Sequence, residues 1–380
     1  MVMDGNYSKK IRILSFQNAH NFGAVLQAYG LQQTILSLGY KDVKFINYNP
    51  KYLSDRYNPL TRAHILPGKG SLQSMVRKLV RYPAYLISTV RRNASFRSSI
   101  RRLLEQTPTC ITNESGLVNE EYDVLVVGSD QIWNTSLTGT FDTVFMGMGP
   151  YKKAGYVISY APSTELSALT DERARELAGL IEPFRHISVR ETPIKEKLEK
   201  YTAKSIQVCV DPTILCGADA YNRIVAPCPS SKKYILVYAY DPHKESILEM
   251  VKTIPNWQEY EAYSVLLGAR GLKQLFNKNI LSELSIEEFL SYIKHASYVV
   301  TNSFHGLAFS LLFEKNFNVD YEPGKHIRCE SLMNQINLTS RFVKDLKNVV
   351  WDEINYSDVN GRLAEIRNRS KDFLKMALGG

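Results

Sequence analysis

The stretch Tyr298 to Phe317, YVVTNSFHGLAFSLLFEKNF, admits few folds. Tyr298, Val299 and Val300 read as the end of a buried strand, and Leu307, Phe309, Leu311, Leu312 and Phe313 keep an apolar face suited to a helix. Thr301 to Gly306 is the expected turn between them. A strand that runs into a helix through polar residues belongs to an α/β sheet, whose ligands bind at the carboxyl ends of the strands. Such a turn exposes the N–H groups of the helix's first turn, which with the helix dipole favour an anion such as phosphate or carboxylate. Asn302 and Ser303 are expected at that anion, and Gly306 is expected to let the backbone approach it closely. His305 stands beside it and titrates near neutrality, so it can give or take a proton. The alternative is a capped helix whose histidine hydrogen-bonds inside the fold.

At 380 residues the chain exceeds one typical core, and two domains are expected. Its 44% hydrophobic, 11% aromatic and 22% charged residues lead to the expectation of a globular soluble protein, not a disordered or fibrous one. The opening MVMDGNYSKKIRILSF has no long apolar region before a small-residue cleavage site, and no run of about 18 apolar residues occurs. The expectation is a cytoplasmic protein. Cys110, Cys209, Cys216, Cys228 and Cys329 lack CxxC spacing, which points to neither a zinc site nor a disulfide framework. Without HxH, HExxH or clustered acids, no metal and no bound cofactor are expected.

The net charge of +9 is local: eleven basic residues and no acid lie between Arg56 and Arg102, so the remainder is slightly negative. Such a segment suits an anionic membrane surface or a lipid pyrophosphate, or is simply a solvated helical face. No recognition module accompanies the charge, so nucleic acid is not an expected partner.

In chain order, Ile11 to Phe16 is an expected strand, QNAHNF (Gln17 to Phe22) a polar loop and Gly23 to Leu38 a helix. Val43 to Tyr48 completes a Rossmann-type β-loop-α-β unit without the GxGxxG fingerprint, so a dinucleotide is not supported. Asn18, His20 and Asn21 fall at the strand's carboxyl end, either as ligand contacts or as an Asx-rich helix entry. Residues from about 56 to 105 read as a basic helical insertion on the first domain, broken at Pro67-Gly68 and Pro83. The strand Tyr122 to Val127 leads into GSDQIWN, where Asp130, Gln131, Trp133 and Asn134 can contact a sugar, although Trp133 equally suits a core. Arg190, at the end of strand His186 to Val189, has the fork geometry for a carboxylate or phosphate, unless it pairs with Glu191 or another acid.

The second half restarts with strand Tyr234 to Tyr240. Ser285 and Glu288 stand in capping-box spacing ahead of Phe289, Leu290 and Ile293, which marks a helix. Beyond strand Phe317 to Tyr321, the Pro-Gly turn Glu322 to Arg328 carries Lys325, His326 and Arg328, three charges able to close over an anion at His305, unless it is a surface turn. The expected organisation is two Rossmann-like α/β domains facing a cleft, residues 9–216 and 229–350, with a terminal helix at 356–378.

Five segments together resemble the polysaccharide pyruvyltransferase family: NFGAVLQAYGLQ (Asn21 to Gln32), YDVLVVGSDQIWN (Tyr122 to Asn134), SVRE (Ser188 to Glu191), VDPTIL (Val210 to Leu215) and TNSFHG (Thr301 to Gly306). The resemblance implies a fold similar to GT-B glycosyltransferases, phosphoenolpyruvate as co-substrate, and a sugar diol of a polysaccharide or its lipid-linked precursor as acceptor. It places the family's essential histidine at His305 and a donor-binding arginine at Arg190. Asp130 is the candidate acceptor base. Some relatives carry an arginine two residues before the histidine, where this chain has Ser303. Two other classes fit the same fold: a glycosyltransferase using a nucleotide sugar, and a non-catalytic protein of glycan assembly.

Overall fold

A computed structural model of the chain describes residues 8–58, 72–267 and 277–379. The first half holds β1 (Lys10–Leu14), β2 (Asp42–Phe45), β3 (Val124–Val127) and β4 (Tyr156–Ser159), a parallel sheet ordered β2-β1-β3-β4. A parallel pair, β5 (Ile187–Val189) and β6 (Ile206–Val208), extends it through a bridge from Ile158 to His186. The second half holds β7 (Tyr234–Tyr238), β8 (Glu261–Val265), β9 (Ile280–Leu281), β10 (Tyr298–Thr301), β11 (Asn316–Asp320) and β12 (Phe342–Val343). They form one parallel sheet ordered β12-β11-β10-β7-β8-β9. Helices cover both faces of such sheets, which is why β3 (VLVV) and β7 (YILVY) are buried at every residue.

The connection order reverses between β1 and β3 in one sheet and between β7 and β10 in the other. These are topological switch points, where the loops at the carboxyl ends part and leave a crevice. Helix α1 (Phe22–Ser37) lies between the halves and is buried on nearly every side, so its apolar residues are not confined to one stripe and its buried Gln27 and Gln32 are hydrogen-bonded. Its Phe22 stacks on Phe289 of the second half, with ring centroids 4.2 Å apart and planes 8° apart. One apolar core therefore runs through both halves and fixes their relation.

The short helix α2 (Lys51–Tyr57) holds the first residue of the basic segment, Arg56, and from Leu72 the segment is a single helix, α3 (Leu72–Leu103), running through Pro83 instead of breaking there. The expected interruption at Pro67-Gly68, with Arg62 and Lys69, lies outside the described residues, as do the side chains of Arg77, Lys78 and Arg81. Nor does α3 belong to the first half alone. Phe96 packs on Phe22, while Ser99 donates to Glu287 and Ser88 meets Ser282, both in the second half. The helix is a strap across the two halves. The terminal helix Tyr356–Gly379 makes a second crossing: Tyr356 bonds Lys315 in one half, and Tyr156 and Lys9 bond the carbonyl of Leu378 in the other. Among the described residues no helix is long and apolar enough to cross a membrane.

Candidate active site

A cavity of about 220 Å³ lies where the two switch points face each other. From the first half Asn21, Asp130 and Gln131 line it, together with Tyr52 and Arg56 of α2. From the second half come Tyr240, Ser303, His305 and Arg328. Polar groups of opposite charge thus converge from four loops on one partly apolar hollow, the usual construction of a small-molecule site.

The helix begins at Phe304, one residue before the histidine, so His305 occupies its first turn instead of the preceding loop. The imidazole is 7% exposed, and its Nε2 has no hydrogen-bond partner among the described residues. Burial pushes the His305 pKa below its ordinary value; the Asp211 and Asp130 carboxylates oppose this, and the Arg190 and Arg328 guanidiniums add to it. These surroundings favour the neutral ring over the imidazolium. A buried imidazole nitrogen without a partner is costly in a resting fold, and a ligand that pairs with it removes the cost.

Asp130 follows β3 in a left-handed conformation, φ 68°, which is strained for a residue with a side chain. The backbone N–H of Gln131 donates to its Oδ1 at 2.9 Å. The adjacent Gln131 Nε2 is buried and unpartnered among the described residues. Arg328 lies in the first turn of the helix Ile327–Gln335, not in a turn before it, and reaches the Tyr240 hydroxyl at 3.5 Å.

Other expected contacts lie elsewhere. Trp133 is fully buried in the core of the first half and cannot stack on a sugar. Arg190 is held by Glu191 at 2.7 Å and Asp211 at 2.6 Å, with Phe304 lying over its guanidinium at 5.0 Å. It is a buried ion-pair centre and not a free anion clamp, although its Nη2 is unpartnered among the described residues. Burial alone would raise the Asp211 carboxyl, but Arg190 and then His305 hold it below the carboxylate range. Lys325 is exposed and paired with Glu322, away from the cavity. Asn302 accepts from the backbone N–H of Tyr240 and so ties the ends of β10 and β7 together. Ser303 lines the cavity without capping its helix. Gly306 faces protein, not ligand: a Cβ there would lie 2.2 Å from Thr301 Oγ1. Asn21 caps α1 through its side chain as well as lining the cavity. Asn18 and His20 point to a separate cavity.

Three residues of the site carry no local signal in the sequence: Asp211, which pairs with Arg190 from a distant loop; Arg56, one of many cations in its segment; and Gly23, where a Cβ would lie 2.0 Å from His305 Nδ1. Among the described residues no group of three or more His, Cys, Asp or Glu is placed to hold a metal ion.

Solved structures with a related outline are distant. UDP-GlcNAc 2-epimerase from Methanocaldococcus jannaschii is 11% identical, with 94% of this chain and 92% of that one covered and a TM-score of 0.44. The S. aureus MnaA structure with UDP is 12% identical over 97% and 90%, TM-score 0.44. The E. coli heptosyltransferase WaaC with ADP-2-deoxy-2-fluoro heptose is 12% identical over 93% and 99%, TM-score 0.37. No curated protein matches the chain. The family profile of the polysaccharide pyruvyl transferases, by contrast, matches residues 21–319. That span holds Asn21, Asp130, Asp211 and His305, and the chain belongs to the polysaccharide pyruvyl transferase family.

Proposed function

We propose that the cleft transfers a pyruvyl group from phosphoenolpyruvate to a sugar diol of a surface polysaccharide or its lipid-linked precursor, forming a cyclic ketal. The observation that carries this reading is the buried imidazole of His305 at a switch point, its Nε2 without a partner among the described residues, in one cavity with Asp130 and in a chain of this family.

Arg328 and Arg56 supply positive charge from opposite walls for the donor's carboxylate and phosphate. The anionic donor in turn raises the affinity of His305 for a proton, so donor and proton bind together. His305 then protonates the methylene carbon, which becomes a methyl group, and positive charge develops at C2. One sugar hydroxyl adds to C2 and gives its proton to Asp130. The C2–O bond to phosphate breaks, the phosphate leaving with the electron pair and with the proton that Asp130 took up. The neighbouring hydroxyl closes the ring and returns its proton to the imidazole. Per turnover one phosphoenolpyruvate and one diol become one ketal and one hydrogen phosphate, with no net change in protons.

The test is phosphate release from phosphoenolpyruvate, measured with and without a panel of glycan acceptors. Release that needs the acceptor and is lost in His305→Gln supports the reading. Equal release from the variant contradicts it.

A further inference from the structure

The loop after β1 serves two cavities in turn: Ala19 and Asn21 line the one at His305, while Asn18 and His20 line a second, of about 570 Å³. Tyr57, at the end of α2, forms a wall of both. A ligand extended across Tyr57 occupies the two together, and the flat face of a tyrosine is a suitable platform for the apolar face of a sugar ring.

The second cavity is rich in carboxamides. Asn18 Nδ2 donates to Asn47 Oδ1 and to the Tyr48 carbonyl, both at 3.1 Å. This leaves Asn18 Oδ1 and Asn47 Nδ2, an acceptor and a donor, without partners among the described residues. Asn49 adds a third amide, and Gln106 Oε1 is buried there without a partner among the described residues. Such paired donors and acceptors match vicinal hydroxyls.

Arg97 and Arg101 bring positive charge to the same wall, one helical turn apart on α3. Neither has a carboxylate within 4.0 Å among the described residues, and Asp55 is the one acid lining the cavity. Like charges at this spacing repel each other on a helix. An anion between them relieves the repulsion and gains charge-assisted hydrogen bonds.

We infer that this second cavity is an acceptor subsite for a negatively charged sugar residue, carrying a carboxylate or a phosphate ester, next to the sugar diol held at His305. The inference rests on the transferase reading of the first cavity and adds the class of acceptor. Chemistry stays at His305; the subsite selects and holds the neighbouring residue of the glycan.

The test is titration calorimetry at low and high salt on the full chain and on Arg97→Gln/Arg101→Gln, with melting temperature as the folding control. The probes are a hyaluronan tetrasaccharide for the carboxylate, α-glucose 1-phosphate for the phosphate, and N-acetylchitotetraose as neutral reference. The native chain is expected to bind at least one acidic probe about tenfold more tightly than the neutral one at low salt, a preference reduced by salt. The double variant is expected to lose the preference and keep its melting temperature. A double variant that retains the preference overturns the inference, as does a native chain that binds neither acidic probe better than the neutral one. Pyruvyl transfer to neutral and charged glycans alike removes the subsite and leaves the transferase reading standing. Selective charged-glycan binding without transfer does the reverse.

Discussion

A Cβ placed on Gly23 would lie 2.0 Å from His305 Nδ1. The imidazole of the second half thus rests against backbone of the first, at a helix position where only hydrogen fits. Gly23→Ala must displace either the ring or the helix. Overpacking of this kind costs about 1–3 kcal/mol. The larger expected effect is on turnover, since a displaced proton donor loses its alignment: kcat should fall about a hundredfold, with donor KM changed far less. Steady-state kinetics beside a melting curve checks this. A variant with native kcat contradicts the view that this contact aims the histidine.

Arg190 and Arg328 should separate stability from donor affinity. Arg190→Met leaves the buried Asp211 and Glu191 carboxylates unpaired, and should cost about 3–5 kcal/mol in denaturant unfolding. Arg328→Gln removes a charge at the cavity wall and should raise donor KM about tenfold with little loss of stability. The opposite pattern would make Arg190 the anion clamp.

His20 carries a pH dependence of its own. It is stacked near Tyr57 and Phe96 and bonded to Asn93, and burial, with Arg92 and Arg97 adding, pushes its pKa down to about 4. Between about 6.5 and 4 the unfolded chain binds a proton that the folded chain refuses, so the His20 contribution is intact above that window and lost as pH falls through it. Unfolding at pH 7 and pH 5 should show the native chain losing roughly 2 kcal/mol more than His20→Gln. Equal losses would mean that His20 takes up its proton without unfolding.

Much of the fold was legible because local patterns repeat. The apolar runs of β3, β7 and β10 and the capping box of Ser285 and Glu288 appear where periodicity and cap chemistry put them. The site was legible only as far as strand ends go. His305 and Asp130 stand at such ends, whereas the pairing of Arg190 with Asp211, the seat of His305 on Gly23 and the burial of Trp133 depend on contacts distant in sequence. The course of α3 was misread for the same reason. Its buried face meets Glu287 and Ser282, which no local pattern reveals.

On the outer side of α3, Ile87 and Val90 are half exposed beside Arg91. With a lipid-linked acceptor, this face is expected to dock on an anionic membrane, each engaged cation adding about 1 kcal/mol at low salt. Co-sedimentation should favour anionic over neutral vesicles at low salt and lose that preference at high salt. Equal recovery in all four conditions leaves the face merely solvated.

The most direct measurement is the product mass after incubating the chain in D₂O with glycan acceptors and either phosphoenolpyruvate or nucleotide sugars. The expected product is the acceptor plus pyruvate less one water, formed only from phosphoenolpyruvate, with a single deuterium in its methyl group. Its yield should fall about a hundredfold in His305→Gln. A glycosylated product from a nucleotide sugar, with phosphoenolpyruvate left intact, would contradict the account.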